Sequence, residues 1–208
     1  MVGLLRPHDL LWGMRPEMLM PGAPDWAVSV LSAQWPVVVR RARVGKGQVA
    51  VGIRGRRRSE RYAAQMPHSA VCRIVRPEDL AASVPEDFPD HTQRLLAVGR
   101  LMRRWPWVWG YGGSIGFELA CGEKVSRADS DTDLIVRTPV YIGRGPARRF
   151  LAELAGLPHR ADVQFQTACG AFALREWAGG GTVMLKTAAG VLLTDNPWAV
   201  LPADAVSD

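Results

Sequence analysis

An α+β fold is what this 208-residue chain predicts: a mixed sheet with flanking helices in its second half, preceded by a small, basic, β-rich N-terminal domain. Three observations carry that expectation. Strand and helix patterns alternate in an α/β-like order after residue 90, short β-branched runs dominate before residue 80, and the excess positive charge is confined to the earlier region. Residues 1–80 hold 13 Lys and Arg against 6 Asp and Glu, a balance of +7, whereas residues 81–208 hold 13 against 14, a balance of −1. With 48% hydrophobic residues, the chain has enough apolar material for a core.

The elements follow in order. "WPVVVRRARV" and "GQVAVGIRG" are β-branched runs flanking Gly45-Lys46-Gly47, a turn signal, and read as paired strands. "RRSERYAAQM" suits a short helix, and "AVCRIV" a further strand before Pro77. "ASVPEDFPD", residues 82–90, has two prolines and three acids and reads as a linker, which divides the chain into domains at 1–81 and 90–208.

"HTQRLLAVGRLMRRW" places Leu95, Leu96, Val98, Leu101 and Met102 at helical spacing, an amphipathic helix ending before Pro106. "WVWGY" suits a short strand. Trp105, Trp107 and Trp109 alternate along it, a spacing that puts all three on one face as core residues. Gly112-Gly113-Ser114 is a tight turn, "SIGFELACG" a helix stopped by Gly122, and "DTDLIVRT" a strand. "RGPARRFLAELAGL" is a helix with Pro146 in its first turn, and "ADVQFQT" a strand. "GAFALREWA" reads as a helix and "GGGTVMLKTAAGVLLTDNPW" as a glycine-punctuated hairpin.

Several function classes drop out on composition. Arg6, His8 and Asp9 break the apolar run at the start, which leaves no signal-peptide core and no membrane span, so a cytoplasmic protein without a membrane partner is expected. Cys72, Cys121 and Cys169 have neither disulfide nor zinc spacing and are expected to be buried or inert. The four histidines form no H-x-x-x-H pair. A bound metal would therefore need oxygen ligands.

The stretch "GYGGSIGFELACGEKVSRADSDTDLIV", residues 110–136, supplies them. Asp131 and Asp133 lie two apart and share one face of a strand, where their charges repel unless a cation lies between them. Asp162, in "ADVQFQ", is a third carboxylate if the two strands are neighbours, and three oxygens converging on a point suit Mg²⁺. Asp129 precedes the strand and reads as loop. Gly112 and Gly113 allow close backbone approach to a phosphate, and Ser114 at a helix N-terminus offers its hydroxyl and free N–H groups, a role compatible with capping. Phosphoryl and nucleotidyl transfer need such a combination of metal cradle and phosphate grip.

A glycine turn, a D-x-D strand and a later carboxylate resemble the nucleotidyltransferase superfamily of the DNA polymerase beta type. Sixteen residues separate Ser114 from Asp131, so "CGEKVSRADS" reads as an inserted loop. A narrower resemblance covers most of the chain. "GSIGFELACGEKVSRADSDTDLIV", "ADVQFQTACGAFALREWA" and "VMLKTAAGVLLTDNPW", with "RPHDLLW" and "GIRGRRRSERYAA" before them, look like the malonate decarboxylase holo-acyl-carrier-protein synthase family, also called phosphoribosyl-dephospho-CoA transferase. The resemblance implies a nucleotidyltransferase-type sheet and transfer from 2′-(5″-triphosphoribosyl)-3′-dephospho-CoA to a serine of the apo acyl-carrier subunit of malonate decarboxylase, with loss of pyrophosphate. It also implies that Asp131, Asp133 and Asp162 are the catalytic Mg²⁺ ligands and that Gly113 and Ser114 grip phosphate.

The basic run from Arg40 to Arg61 is either a solvated face or a contact for the donor or an acidic carrier; Arg54 and Arg58 are the best candidates for ligand contact. Lys186 either reaches a phosphate or sits on the surface. His8 and Asp9 are expected to be a structural pair rather than part of the site. Two related readings are a citrate-lyase-type carrier and nucleotidyl transfer to a small molecule. A basic nucleic-acid-binding module is the reading from another class, and the lack of any helix-turn-helix, zinc-finger or RNA-binding signature argues against it.

Overall fold

A computed structural model describes residues 4–83, 88–127 and 129–199, so residues 84–87 of the expected linker lie outside the described residues. Two sheets divide the chain between them. The first is five-stranded and antiparallel, in the order β4-β3-β2-β1-β5, from β1 (Leu10–Trp12), β2 (Val37–Val39), β3 (Gln48–Arg54), β4 (Arg61–Pro67) and β5 (Arg73–Val75). Helix α1 (Asp25–Ser32) buries Ala27, Val30 and Leu31 against it, an i, i+3, i+4 stripe with no counterpart in the sequence reading.

The second sheet has six strands in the order β11-β10-β9-β8-β7-β6: β6 (Val108–Tyr111), β7 (Thr132–Arg137), β8 (Ala161–Gln166), β9 (Ala171–Ala173), β10 (Val183–Thr187) and β11 (Gly190–Thr194). Only β7 and β8 pair in parallel, with α4 (Arg144–Leu154) as their crossover. Helices α2 (Thr92–Met102), α3 (Gly113–Cys121), α4 and α5 (Leu174–Gly179) complete the domain. Mixed pairing with flanking helices agrees with the expected α+β, nucleotidyltransferase-like fold.

Helix α3 is shared by two cores. Ile115 and Leu119 pack with the second sheet, while Phe117 packs with the first and meets Trp35 at 5.7 Å between ring centroids. A helix with partners on both sides has no solvent stripe to display, which explains the unbroken apolar character of "SIGF". The 3-10 segment Pro77–Ala82 lies on β6 so closely that a Cβ on Gly110 would overlap the Pro77 carbonyl.

Several expectations are corrected. "RRSERYAAQM" is not a helix, since Arg61–Pro67 is β4, paired with β3 over its whole length. Seven cross-strand pairs outweigh the local helical preference of Ala63, Ala64, Gln65 and Met66. "GAFALREWA" begins as β9, which bridges β8 and β10, and turns helical only at Leu174. Cys72 is exposed rather than buried. Only Trp109 lies within β6, with Trp105 and Trp107 stacked at 4.6 Å ahead of it, yet all three pack on the core as expected.

Candidate active site

The β7–β8 register sets the site. Asp133 stands opposite Asp162, and neighbouring parallel strands about 5 Å apart hold both side chains on one face. Thr132, Leu134 and Val136 alternate with them into the core. Asp131 lies one pleat before Asp133, half-exposed, with its Oδ1 3.7 Å from Arg160 Nε. As the side chains stand, no three acidic, His or Cys groups among the described residues converge at metal-ligand distance.

The glycine turn meets the same point. The Gly112 N–H donates to the Asp133 carbonyl at 2.8 Å, and Gly113 has φ +59°, where a Cβ would overlap the Asp133 carboxylate. Helix α3 therefore opens directly beside that carboxylate. Its Ncap is Gly112 and no side chain caps it, so the first-turn N–H groups of Gly113, Ser114 and Ile115 have no helical partner and suit an anion.

Burial pushes the Asp133 carboxyl up, the charges of Asp162 and Asp131 push the same way, and Arg61 and Arg58 pull it back. A carboxylate whose charge is opposed by two neighbouring aspartates, beside a backbone too close for a side chain, is the kind of oxygen donor a hard divalent cation takes. Asp131, Asp133 and Asp162 are the residues that would hold such a cation.

The first domain forms the opposite wall. The β3–β4 turn carries Arg54, Arg58 and Arg61 toward the carboxylates. Arg54 lies 5.1 Å over the Phe117 ring, and burial and Arg61 pull its pKa down. Arg56 is committed elsewhere, 4.9 Å over Trp35 and 3.3 Å from Glu123, and Arg57 pairs with Glu60. Arg58 is exposed, as is Lys186 on β10.

Sequence reasoning held Arg41 and Arg61 only as members of the basic run, weighed His8 as structural, and passed over Gln164. Asp9 is structural as expected, fully buried and 3.6 Å from Arg137, which also pairs with Glu78 at 2.6 Å. His8, its neighbour, instead reaches the sheet and lies beside Gln164, two residues along β8 from Asp162. No local pattern announces such a contact, because it is made between domains.

A buried network holds the connection that delivers Asp131. Glu118 on α3 accepts from the Ser126 hydroxyl (2.6 Å) and from the Ser126 (3.1 Å) and Val125 (3.3 Å) N–H groups, and lies 3.2 Å from His91 Nε2. Burial alone would raise the Glu118 carboxyl, but these bonds overturn that and hold it below its usual range. A broad surface hollow lies away from these groups, between Arg100, Arg104 and Glu153, and its one acid is already paired with Arg104 at 2.9 Å. Chemistry is therefore sought at the carboxylates.

A mixed sheet presenting paired aspartates beside a glycine-opened helix, faced by arginines from a second domain, defines an α+β, nucleotidyltransferase-like enzyme. Comparison with known proteins narrows this. Residues 6–77 match the phosphoribosyl-dephospho-CoA transferase MdcG N-terminal domain, and residues 79–197 match the C-terminal domain of the same family. The chain belongs to the phosphoribosyl-dephospho-CoA transferase family. Proteins of that name from Pseudomonas fluorescens and Pseudomonas syringae are 48% and 49% identical, each over 92% of this chain and over 93% and 92% of their own lengths. One from Azotobacter vinelandii is 42% identical over 96% of this chain and 97% of its own. No solved structure matches.

Proposed function

We propose that this transferase moves the 2′-(5″-phosphoribosyl)-3′-dephospho-CoA group from its 5″-triphosphate donor to a serine of the apo acyl-carrier subunit of malonate decarboxylase. The observation that carries the reading is the in-register pair Asp133 and Asp162 against the open N-terminus of α3. The serine oxygen attacks the α-phosphorus, the bond between that phosphorus and the α–β bridging oxygen breaks, and pyrophosphate leaves with the electron pair. The serine proton passes to solvent or to a carboxylate.

Each wall has a task. Mg²⁺, when bound by Asp131, Asp133 and Asp162, supplies charge neutralisation on the phosphates and acidifies the attacking hydroxyl. Gly113 lets the Asp133 carboxylate sit against the opening turn of α3, and the free N–H groups of Ser114 and Ile115 beside it would hold phosphate charge. Arg54, Arg58 and Arg61 face the same point from the first domain and favour the charge that builds on the departing pyrophosphate. A cytoplasmic setting is proposed for the reaction; among the described residues no helix is long and apolar enough to cross a membrane.

The test incubates the full chain with apo carrier, donor and Mg²⁺ and weighs the carrier by mass spectrometry. A mass gain equal to the phosphoribosyl-dephospho-CoA group is expected. An unchanged carrier, from folded and metal-supplied enzyme, overturns the reading.

A further inference from the structure

The sheet face that carries the aspartates continues away from them. Along β8, Asp162 is followed on the same face by Gln164 and Gln166, about 7 and 13 Å further on. Pairing extends the row sideways: Arg137 stands opposite Gln166, Gln166 opposite Ala171, and Ala171 opposite Lys186. Arg137, Gln166 and Lys186 therefore point to one side. That side faces the first domain, because Arg137 meets Asp9 and Glu78 there.

From the first domain, His8 and Arg41 come down onto this row. His8 and Asp9 flank Val39, since the His8 N–H donates to the Val39 carbonyl (3.0 Å) and the Val39 N–H to that of Asp9 (2.8 Å), and Arg41 follows two residues later. His8 has φ +77°, a left-handed conformation uncommon outside glycine, and its ring lies beside the Gln164 side chain. The Arg41 Nη2 is buried with no hydrogen-bond partner. Among the described residues neither Arg41 nor Lys186 is in an ion pair, whereas Arg137 is matched by Asp9 and Glu78.

Two unmatched cations, a neutral imidazole and an amide thus line one stretch of the seam. A buried guanidinium nitrogen without an acceptor is costly in the free protein, and an anion supplying oxygens removes that cost. We propose that His8, Arg41, Gln164 and Lys186 form a second anion subsite, separate from the aspartates, which takes the diphosphate of the dephospho-CoA moiety. The inference rests on the transfer reading above and extends it. A donor of that kind carries two phosphate groups joined through linked ribose rings, and the two places on this sheet face stand apart in the same way. Arg41 and Lys186 grip the diphosphate oxygens, Gln164 donates from its amide, and His8 holds Gln164 in place. Their role is to bind and align the donor, not to take part in bond making.

The experiment measures dephospho-CoA binding to the full chain by calorimetry at neutral pH in EDTA, so that the aspartates hold no metal. The wild type is expected to bind. Arg41→Ala and Lys186→Ala are each expected to weaken binding about tenfold or more, the loss of a charge-assisted hydrogen bond, while Asp133→Asn binds at least as well as wild type. Adenosine, which lacks the diphosphate, is expected to bind the wild type and both variants alike. Wild-type affinity for dephospho-CoA in both variants overturns the subsite, and so does an equal loss for adenosine. Should Arg41→Ala fail to fold, Lys186→Ala decides, since that side chain is exposed on a strand. Absence of wild-type binding also overturns the subsite, and carrier mass then shows whether the transfer reading falls with it.

Discussion

The environment of Asp133 works against its charge. Burial and two neighbouring carboxylates raise its folded pKa above the unfolded value, so its ionisation opposes folding once the pH exceeds the usual carboxylate range. Asp133→Asn removes that opposition. In EDTA at neutral pH the variant is expected to melt at a higher temperature than wild type, while carrier modification with Mg²⁺ falls by at least about 100-fold, as loss of a main electrostatic support does. A variant that melts lower, or that still modifies the carrier, would place the metal elsewhere. The sequence named Asp133 with Asp131 because aspartates two apart on a strand share a face, and named Asp162 on condition that its strand is a neighbour. It held Arg61 only as one member of a basic run and could not name Gln164, because the relevance of each depends on which strand it stands beside.

At the scale of the element, α3 does two jobs. Its N-terminus abuts the Asp133 carboxylate, and its Phe117 ring, 1% exposed, fills the core of the other domain and lies beneath Arg54. Phe117→Ala is expected to cost about 3–5 kcal/mol of stability by leaving a cavity. It also removes the surface on which Arg54 rests, so donor KM should rise even at temperatures where the variant is fully folded. Chemical denaturation and steady-state kinetics check the two halves, and an unchanged KM would separate Arg54 from donor binding. The helix itself was legible from its apolar run and Gly122 stop. Its double burial was not, since an all-round apolar helix is the same string whichever two surfaces enclose it. The strand at Arg61–Pro67 was misread for a related reason: its helical composition is overridden by β3, a partner that the segment does not contain.

The whole molecule is held together where the two sheets meet, and protonation there has a sign that can be measured. Burial, with Arg41, Arg137 and Lys186, holds the His8 imidazole down to about 4 against the Gln164 hydrogen bond. Burial pushes the Asp9 carboxyl up to about 6 against the Arg6 N–H and Arg137. Between pH 4 and 6 unfolding therefore takes up a proton at position 8 and releases one at position 9, and the two effects oppose. His8→Asn leaves the Asp9 effect, which is full below about pH 4 and lost as the pH rises through 6, so stability should fall with pH across that window. Asp9→Asn leaves the His8 effect, present above about pH 6.5 and lost as the pH falls toward 4, so stability should rise. Each slope approaches about 1.4 kcal/mol per pH unit at its steepest, readable from urea denaturation at a series of pH values. Slopes of the same sign in the two variants would contradict this arrangement.

Taken by itself, the sequence determined the α+β class, most strand and helix positions in the second half, the glycine turn, and the three aspartates with the chemistry they imply. All of these rest on period, turn residues and spacing, which act over a few neighbouring positions. Only the tertiary structure decided that Asp162 stands beside Asp133, that Gly113 lies against that carboxylate, and that arginines and a histidine from the first domain form the facing wall. Those contacts depend on the register of strands nearly thirty residues apart in the chain and on the packing of one sheet over another. Such pairings are chosen by the burial of whole faces, a property that no short stretch of residues contains.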